Sequence, residues 1–140
     1  MSEPTPTSIT ISTTPSDPPS TILSLLRTNL LSVFNERSAP ARQAAIAQAY
    51  HPSISWFESD GAILTGHEAL DKRASELLAS SPGFVFTPDG EGVVVQNLGM
   101  LNWNFGPEGK EDLVKGVDFI VVEGGVVKVM WTKVIKVPGE

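Results

Sequence analysis

Residues 113–137 read LVKGVDFIVVEGGVVKVMWTKVIKV, and the fold is decided there. Val, Ile and Phe dominate, with Trp131 near the end, the composition of side chains that pack on a half-buried pleated surface. Glu123-Gly124-Gly125 interrupts the run, and a Gly-Gly pair joins antiparallel strands because glycine reaches positive φ without strain. The stretch therefore predicts a long hairpin, 113–122 paired with 126–137. One carboxylate, Asp118, stands inside its first strand, flanked by Val117, Phe119, Ile120, Val121 and Val122. A charge in such company reaches solvent, finds a partner, or sits in a pocket with a perturbed pKa.

Upstream, residues 93–105 predict another long strand, with Gly99 in its middle where a bulge or bend is expected. Gly106-Pro107-Glu108-Gly109 turns it into the hairpin. Residues 84–87 predict a shorter strand ended by Pro88-Asp89-Gly90, and residues 54–58 a further one ended by Ser59-Asp60-Gly61. Three helices precede or interleave these strands. Ser20 is the expected N-cap of the first, whose apolar stripe is Ile22, Leu25, Leu26, Leu30, Val33 and Phe34. Pro40 opens a slim second helix rich in alanine, which Tyr50 and Pro52 close. Thr65 and Glu68 match a capping box for the third, which runs to about Ser80 and buries Leu70, Ala74, Leu77 and Leu78. Helices grouped against a run of antiparallel strands define an α+β domain over 20–137. Residues 1–19, rich in Ser, Thr and Pro, predict a disordered N-terminal tail, although Ile9 and Ile11 offer a way for it to lie against the domain.

With 140 residues and 41% hydrophobic content, the chain has the size and composition of one globular domain. Its formal net charge of −6 and its singly scattered basic residues argue against nucleic acid or an anionic membrane as partner. With no cysteine there is no disulfide framework, thiolate nucleophile or zinc-thiolate site. No apolar run reaches the length of a membrane span, and the N-terminus lacks the pattern of a secretory signal, so the expected location is cytoplasmic. Two distant histidines, His51 and His67, make no metal cluster, and neither a phosphate loop nor a nucleophile elbow is present.

Four local patterns, in order, resemble the NTF2-like superfamily and its SnoaL-like branch. Residues 49–56, AYHPSISW, are similar to the family's "Y-A-x-D-V-x-F" passage from helix into strand. Glu58-Ser59-Asp60-Gly61 with Thr65-Gly66-His67-Glu68-Ala69-Leu70 resembles "D-P-x-G … x-G-R-E-A-I". Residues 101–107, LNWNFGP, resemble "x-R-W-x-F-x-G", and Gly116-Val117-Asp118-Phe119 with Glu123-Gly124-Gly125-Val126-Val127 resembles "G-x-D-x-x-x-x-x-x-G-R-I". The likeness covers about residues 21–135. It implies an NTF2-like cone: three N-terminal helices packed on a strongly curved, mostly antiparallel sheet, around a pocket for a small apolar molecule of polyketide or terpenoid type. It also implies a homodimer through the open sheet face and chemistry without a cofactor. Family enzymes include ketosteroid isomerase, polyketide cyclases, scytalone dehydratase and limonene epoxide hydrolase, while many relatives are non-catalytic, so the fold alone does not set the function.

By that resemblance Glu58 falls where ketosteroid isomerase carries its base, and Asp118 where that enzyme and the cyclases carry an acidic pocket residue. A carboxylate beside a buried acid suits proton transfer next to a carbonyl. Asp118 and Glu58 are therefore the candidate catalytic pair. The structural alternatives are an exposed strand-end role for Glu58, and for Asp118 a hydrogen bond or a pair with Lys115 or His51. The isomerase's tyrosine on the first helix has no counterpart, which counts against steroid isomerisation. The histidines sit in a loop and at a helix start, and Arg27, Arg37, Arg42 and Arg73 all fall in helical segments, which counts against the dehydratase and epoxide hydrolase patterns. Tyr50, Trp56, Met100, Asn102, Trp103, Ile120 and Trp131 are the candidate ligand contacts. For the tryptophans the competing reading is core or dimer surface. Strand alternation puts Leu101, Trp103 and Phe105 on one face and Leu98, Met100, Asn102 and Asn104 on the other, without choosing which lines the pocket. A non-catalytic ligand-binding or dimerisation module is the alternative to an isomerase, cyclase or dehydratase.

Overall fold

Gly124 and Gly125 take φ of 59° and 78°, and two successive positive values are what a type I′ hairpin turn requires. They join β5 (Val114–Glu123) to β6 (Val126–Lys136), in a register that sets Asp118 opposite Thr132 and Phe119 opposite Trp131. The structure, a computed structural model, describes residues 8–12, 14 and 16–139. Four more strands flank the hairpin: β1 (Tyr50–Phe57), β2 (Ile63–Thr65), β3 (Val85–Val95) and β4 (Leu98–Gly106). The sheet order is β2-β1-β6-β5-β4-β3, antiparallel throughout except that β1 and β6 run parallel. Helix α1 (Pro19–Thr28) passes straight into a π-helical stretch, Asn29–Phe34, and α2 (Ala39–Ala49) and α3 (His67–Ser80) complete an α+β domain with a mixed sheet.

The apolar stripe of the first helix does what its spacing promises. Ile22, Leu26, Leu30 and Val33 are buried together with the inner sheet face, which β4 supplies as Gly99, Leu101, Trp103 and Phe105. Each such aliphatic side chain contributes about 1.5–3 kcal/mol relative to exposure. Gly99 is not the expected bulge, for both ladders run through it in step. Its role is close approach: a Cβ there would stand 2.6 Å from Ile22 Cγ2 and 2.9 Å from Leu26 Cδ1, so glycine lets α1 settle on the sheet.

The irregularity lies earlier, between Asp89 and Val93, where Gly90 and Gly92 have φ of 96° and 87°. Pro88-Asp89-Gly90 therefore bends β3 rather than ending it, and the strand continues to Val95. The connection to β4 is Gln96-Asn97, with Gln96 itself at φ 54°. Two side-chain caps also fall out differently. Thr65 is held in the β1–β2 ladder opposite Ser55, so α3 starts after Gly66, at φ 90°, without a side-chain cap. Ser20 lies inside α1, which begins one residue earlier at a proline.

Of the predicted tail, residues 8–12 form neither helix nor strand. The Ser12 N–H donates to Glu123 and its carbonyl accepts from Asn97 Nδ2, while Gly125 N–H donates to Asp17 at 3.1 Å. That part is thus tied to the β3–β4 and β5–β6 turns; residues 1–7, 13 and 15 lie outside the described residues. Among the described residues no helix is long and apolar enough to cross a membrane.

Candidate functional site

Between the helices and the inner sheet face lies a cavity of about 200 Å³. A cavity of about 150 Å³ already accepts benzene, so this one has room for a substituted ring or a fused pair. Leu30 and Phe34 line it from the π-helical stretch and Leu77 from α3, while Trp56, Phe86, Trp103, Phe105, Val114 and Val134 line it from the sheet. Its polar lining is short: Asp118 and Thr132 inside, with Glu58, Ser59, Asp60 and Arg73 at the rim.

Local sequence explains how these walls stand. The π-helical stretch bonds each N–H one residue further back than an α-helix, as Asn35 N–H does to Leu30 O at 3.1 Å. Asn35 then pairs with the Phe86 backbone in both directions, at 2.8 and 2.7 Å, which clips the helix end to β3. Phe34 meets Trp56 edge-on at 5.2 Å, and Phe86 meets Trp103 edge-on at the same separation. Trp103 lies across Gly116 on β5, where a Cβ would come within 2.2 Å of the indole.

Asp118 is 5% exposed and its carboxylate is held from two sides. Thr132 Oγ1 donates to Oδ1 at 2.8 Å, and Thr132 in turn accepts from Trp56 Nε1 at 2.9 Å. Asn29 Nδ2 donates to Oδ2 at 3.1 Å, and Asn29 Oδ1 accepts from the buried Tyr50 hydroxyl. Burial raises the Asp118 pKa from 3.8 to about 6, against the Thr132 hydroxyl, the nearby Trp103 indole N–H and the Asn29 amide, which lower it. With its pKa raised toward neutrality the carboxyl can both release and take up a proton near pH 7. Burial, and secondarily the Asp118 charge, push the Tyr50 hydroxyl well above its ordinary value, so it stays a donor.

Trp103 Nε1 differs from the other donors. It is buried and has no hydrogen-bond partner among the described residues. It lies near enough to Asp118 for its positive end to favour the charged carboxyl. Glu58 has a different environment from Asp118. Its carboxylate accepts from Arg73 Nε at 2.9 Å, with the two side chains 11% and 38% exposed, so it sits at the rim as one half of an ion pair.

The structure thus brings Trp56, Glu58, Trp103 and Asp118 to one cavity. The other residues singled out from sequence stand elsewhere. Tyr50 is behind the wall, reaching Asp118 only through Asn29. Ile120 is fully buried in the core, beside Gly99. Met100, Asn102 and Trp131 belong to the outer sheet face, because strand alternation that turns Trp103, Asp118 and Thr132 inward turns their neighbours outward. Asp118 pairs with neither Lys115 nor His51; Lys115 bonds Asn104 at 2.6 Å. His67 Nε2 donates to the carbonyls of Tyr50 and His51, a structural tie. Among the described residues no group of His, Cys, Asp and Glu is placed to hold a metal.

Asn29 and Thr132 are the residues that sequence reasoning passed over. The signal for Asn29 was present: positions 22, 26, 29 and 33 follow helical spacing, so an amide sits on the buried stripe and must find partners. Thr132 lies within the hairpin opposite Asp118, but only the register reveals that pairing.

Searches with the sequence find no matching family model and no matching curated protein. Solved structures do match. A provisionally assigned isomerase of the SnoaL-like family from Agrobacterium tumefaciens superposes with a TM-score of 0.75 at 16% identity, over 83% of this chain and 98% of its own. A provisionally assigned ketosteroid isomerase from Kribbella flavida gives 0.66 at 14%, over 87% and 83%. An NTF2-like protein of unknown function from Mesorhizobium loti gives 0.63 at 19%, over 86% and 96%. The chain shares the fold of these NTF2-like and SnoaL-like structures. At such identities the likeness speaks for the fold alone.

Proposed function

We propose that the protein holds a small, mainly apolar molecule in the cavity and acts on it as a cofactor-independent acid/base enzyme, with Asp118 as the base. The observation that carries this reading is a carboxyl poised near pH 6 inside an aromatic cavity, since a base works best when its pKa lies near the working pH. In an isomerisation, cyclisation or dehydration that begins beside a carbonyl, Asp118 takes the proton of the adjacent C–H. The C–H electron pair becomes the new C=C bond, and the carbonyl π pair moves to oxygen. Return of the proton to a different carbon as the C=O re-forms completes an isomerisation. In a dehydration the enolate re-forms C=O, the C–O bond to a hydroxyl on the next carbon breaks, and the Asp118 proton goes to that hydroxyl, which leaves as water. Either way the carboxylate is restored. Glu58, fixed by Arg73, belongs to the entrance and orients the ligand or exchanges protons with solvent there.

The test is α-proton exchange of small cyclic ketones in D2O, followed by NMR. The reading expects exchange above the buffer rate, with a rate that rises with pH through about 6, and its loss in Asp118→Asn with the native fold kept by circular dichroism. Exchange at the buffer rate across a panel of ketones that bind would leave the alternative, a ligand-binding module without chemistry.

The second part of the proposal is a homodimer through the outer sheet face. A single cross-strand row, Ile63, Phe57, Trp131, Phe119, Met100 and Val93, runs over all six strands there. Ile63, Val93 and Trp131 are 62%, 52% and 38% exposed, and Phe57 stacks on Trp131 at 5.7 Å. Such a contiguous apolar band calls for a covering surface, and a second copy of the same face supplies one of matching character.

A further inference from the structure

We infer that Trp103 Nε1 is the anchor for the ligand's oxygen, and that the ligand is an uncharged ring compound bearing a carbonyl, enol or phenol at that point. The inference rests on the reading above, that the cavity holds a small apolar molecule. Its own ground is separate: a buried indole N–H that lines the cavity and bonds to nothing among the described residues. An unmade hydrogen bond in a buried site is costly, and the other buried donors near it are all spent. Trp56 Nε1 goes to Thr132, Thr132 to Asp118, and Asn29 to Asp118. Trp103 is the donor held back.

The acceptor it lacks must come from inside the cavity, next to Asp118. An oxygen there accepts from Trp103, while the neighbouring C–H, or the O–H of an enol or phenol, meets the carboxylate. One short O=C–C–H or C–O–H unit fits both. The same donor would face the negative charge that develops on oxygen when Asp118 takes the proton, which makes it more valuable in the transition state than in the ground state.

Charge decides what else the ligand can carry. Asp118, Glu58 and Asp60 line the cavity and its rim, against one guanidinium, Arg73, that Glu58 already engages. A carboxylate ligand would enter this field with no free cation to receive it, and its desolvation would go unrepaid. A neutral ring meets no such penalty.

The test uses the full chain with 2-naphthol, naphthalene and 2-naphthoate, read by ¹H–¹⁵N spectra of the three indole groups and by titration calorimetry. We expect 2-naphthol to move the Trp103 Nε1–H signal downfield and naphthalene not to, with Trp131 on the outer sheet face as the internal reference. In Trp103→Phe, affinity for 2-naphthol should fall roughly tenfold while naphthalene binding stays within about twofold, and 2-naphthoate should bind the native protein at least roughly tenfold more weakly than 2-naphthol. Equal Trp103 shifts with 2-naphthol and naphthalene, or unchanged 2-naphthol affinity in Trp103→Phe, overturn the anchor while leaving the cavity as a ligand site. Failure of both neutral probes to bind the native protein overturns the cavity reading and the anchor with it. If Trp103→Phe does not fold, the signal of the native protein decides alone. Binding of 2-naphthol with the predicted shift, but without ketone exchange, removes the chemistry and keeps the anchor.

Discussion

Replacing Asp118 by asparagine should change how stability depends on pH more than it changes stability itself. In the folded chain the carboxyl titrates near 6, against an ordinary 3.8. Each pH unit of that difference is worth about 1.4 kcal/mol, so ionising this group in place costs the native state about 3 kcal/mol. The sign follows from proton binding. A folded pKa above the unfolded one means that the native state holds the proton longer. Its contribution is fully present below pH 3.8 and is lost as pH rises through 6. Asparagine has no proton to lose. The stability of Asp118→Asn relative to the native chain should therefore rise by roughly 2–3 kcal/mol between pH 4 and pH 7.5 and then level off. The mismatch that asparagine creates with the Asn29 amide shifts the whole difference curve by a constant and leaves its slope intact. Urea unfolding at half-unit pH intervals reads the curve directly. A difference that stays flat within about 0.5 kcal/mol across that window would mean that the carboxyl is hydrated or fully compensated, and the cavity chemistry would lose its base.

Three further outcomes follow. Gly116→Ala places a methyl within 2.2 Å of the Trp103 ring, so the indole must shift, at a cost of about 1–3 kcal/mol in urea unfolding; no loss would mean that the ring is not seated there. Asn29→Ala leaves the Tyr50 hydroxyl without its acceptor and Asp118 without a donor. It should lower stability by about 1–3 kcal/mol and move the Asp118 titration upward, whereas a lower midpoint by ¹³C NMR would contradict the network. Trp131→Glu puts a charge in the middle of the outer apolar row and should convert a dimer to a monomer by light scattering, with the cavity unchanged; a native protein already monomeric at high concentration would dispose of the dimer.

The fold was legible because its decisive signals are local. Alternation and a Gly-Gly pair define the hairpin, and 3.6-residue spacing defines the helices. What misled was local too. Pro88-Asp89-Gly90 carries a strong turn signal, yet pairing with β4 resumes at Val93 and carries the strand on, a tertiary effect no short window contains. Conversely Gln96-Asn97 turns the chain without a glycine or proline to announce it. Gly99 looked like a bulge and is a contact site, because the partner that needs the space, α1, is more than seventy residues upstream.

Within the site, Asp118 was conspicuous as a lone charge in an apolar strand. Its partners were not, for Thr132 is fixed by hairpin register and Asn29 by helix packing. The choice of sheet face was invisible for the same reason. Once Trp103 faces the helices, Met100, Asn102 and Trp131 must face away, but alternation alone sets the relation and not its sign. The unpaired indole N–H of Trp103 emerges only when every other buried donor has been assigned an acceptor.

The most direct measurement is the titration of the Asp118 side-chain carboxyl, followed by its ¹³C resonance in the unliganded protein. A midpoint near 6 is the result that a buried carboxylate in an aromatic cavity requires. A midpoint at or below 3.8 would put that group in contact with bulk water or a compensating cation, and the cavity would have no base near neutrality.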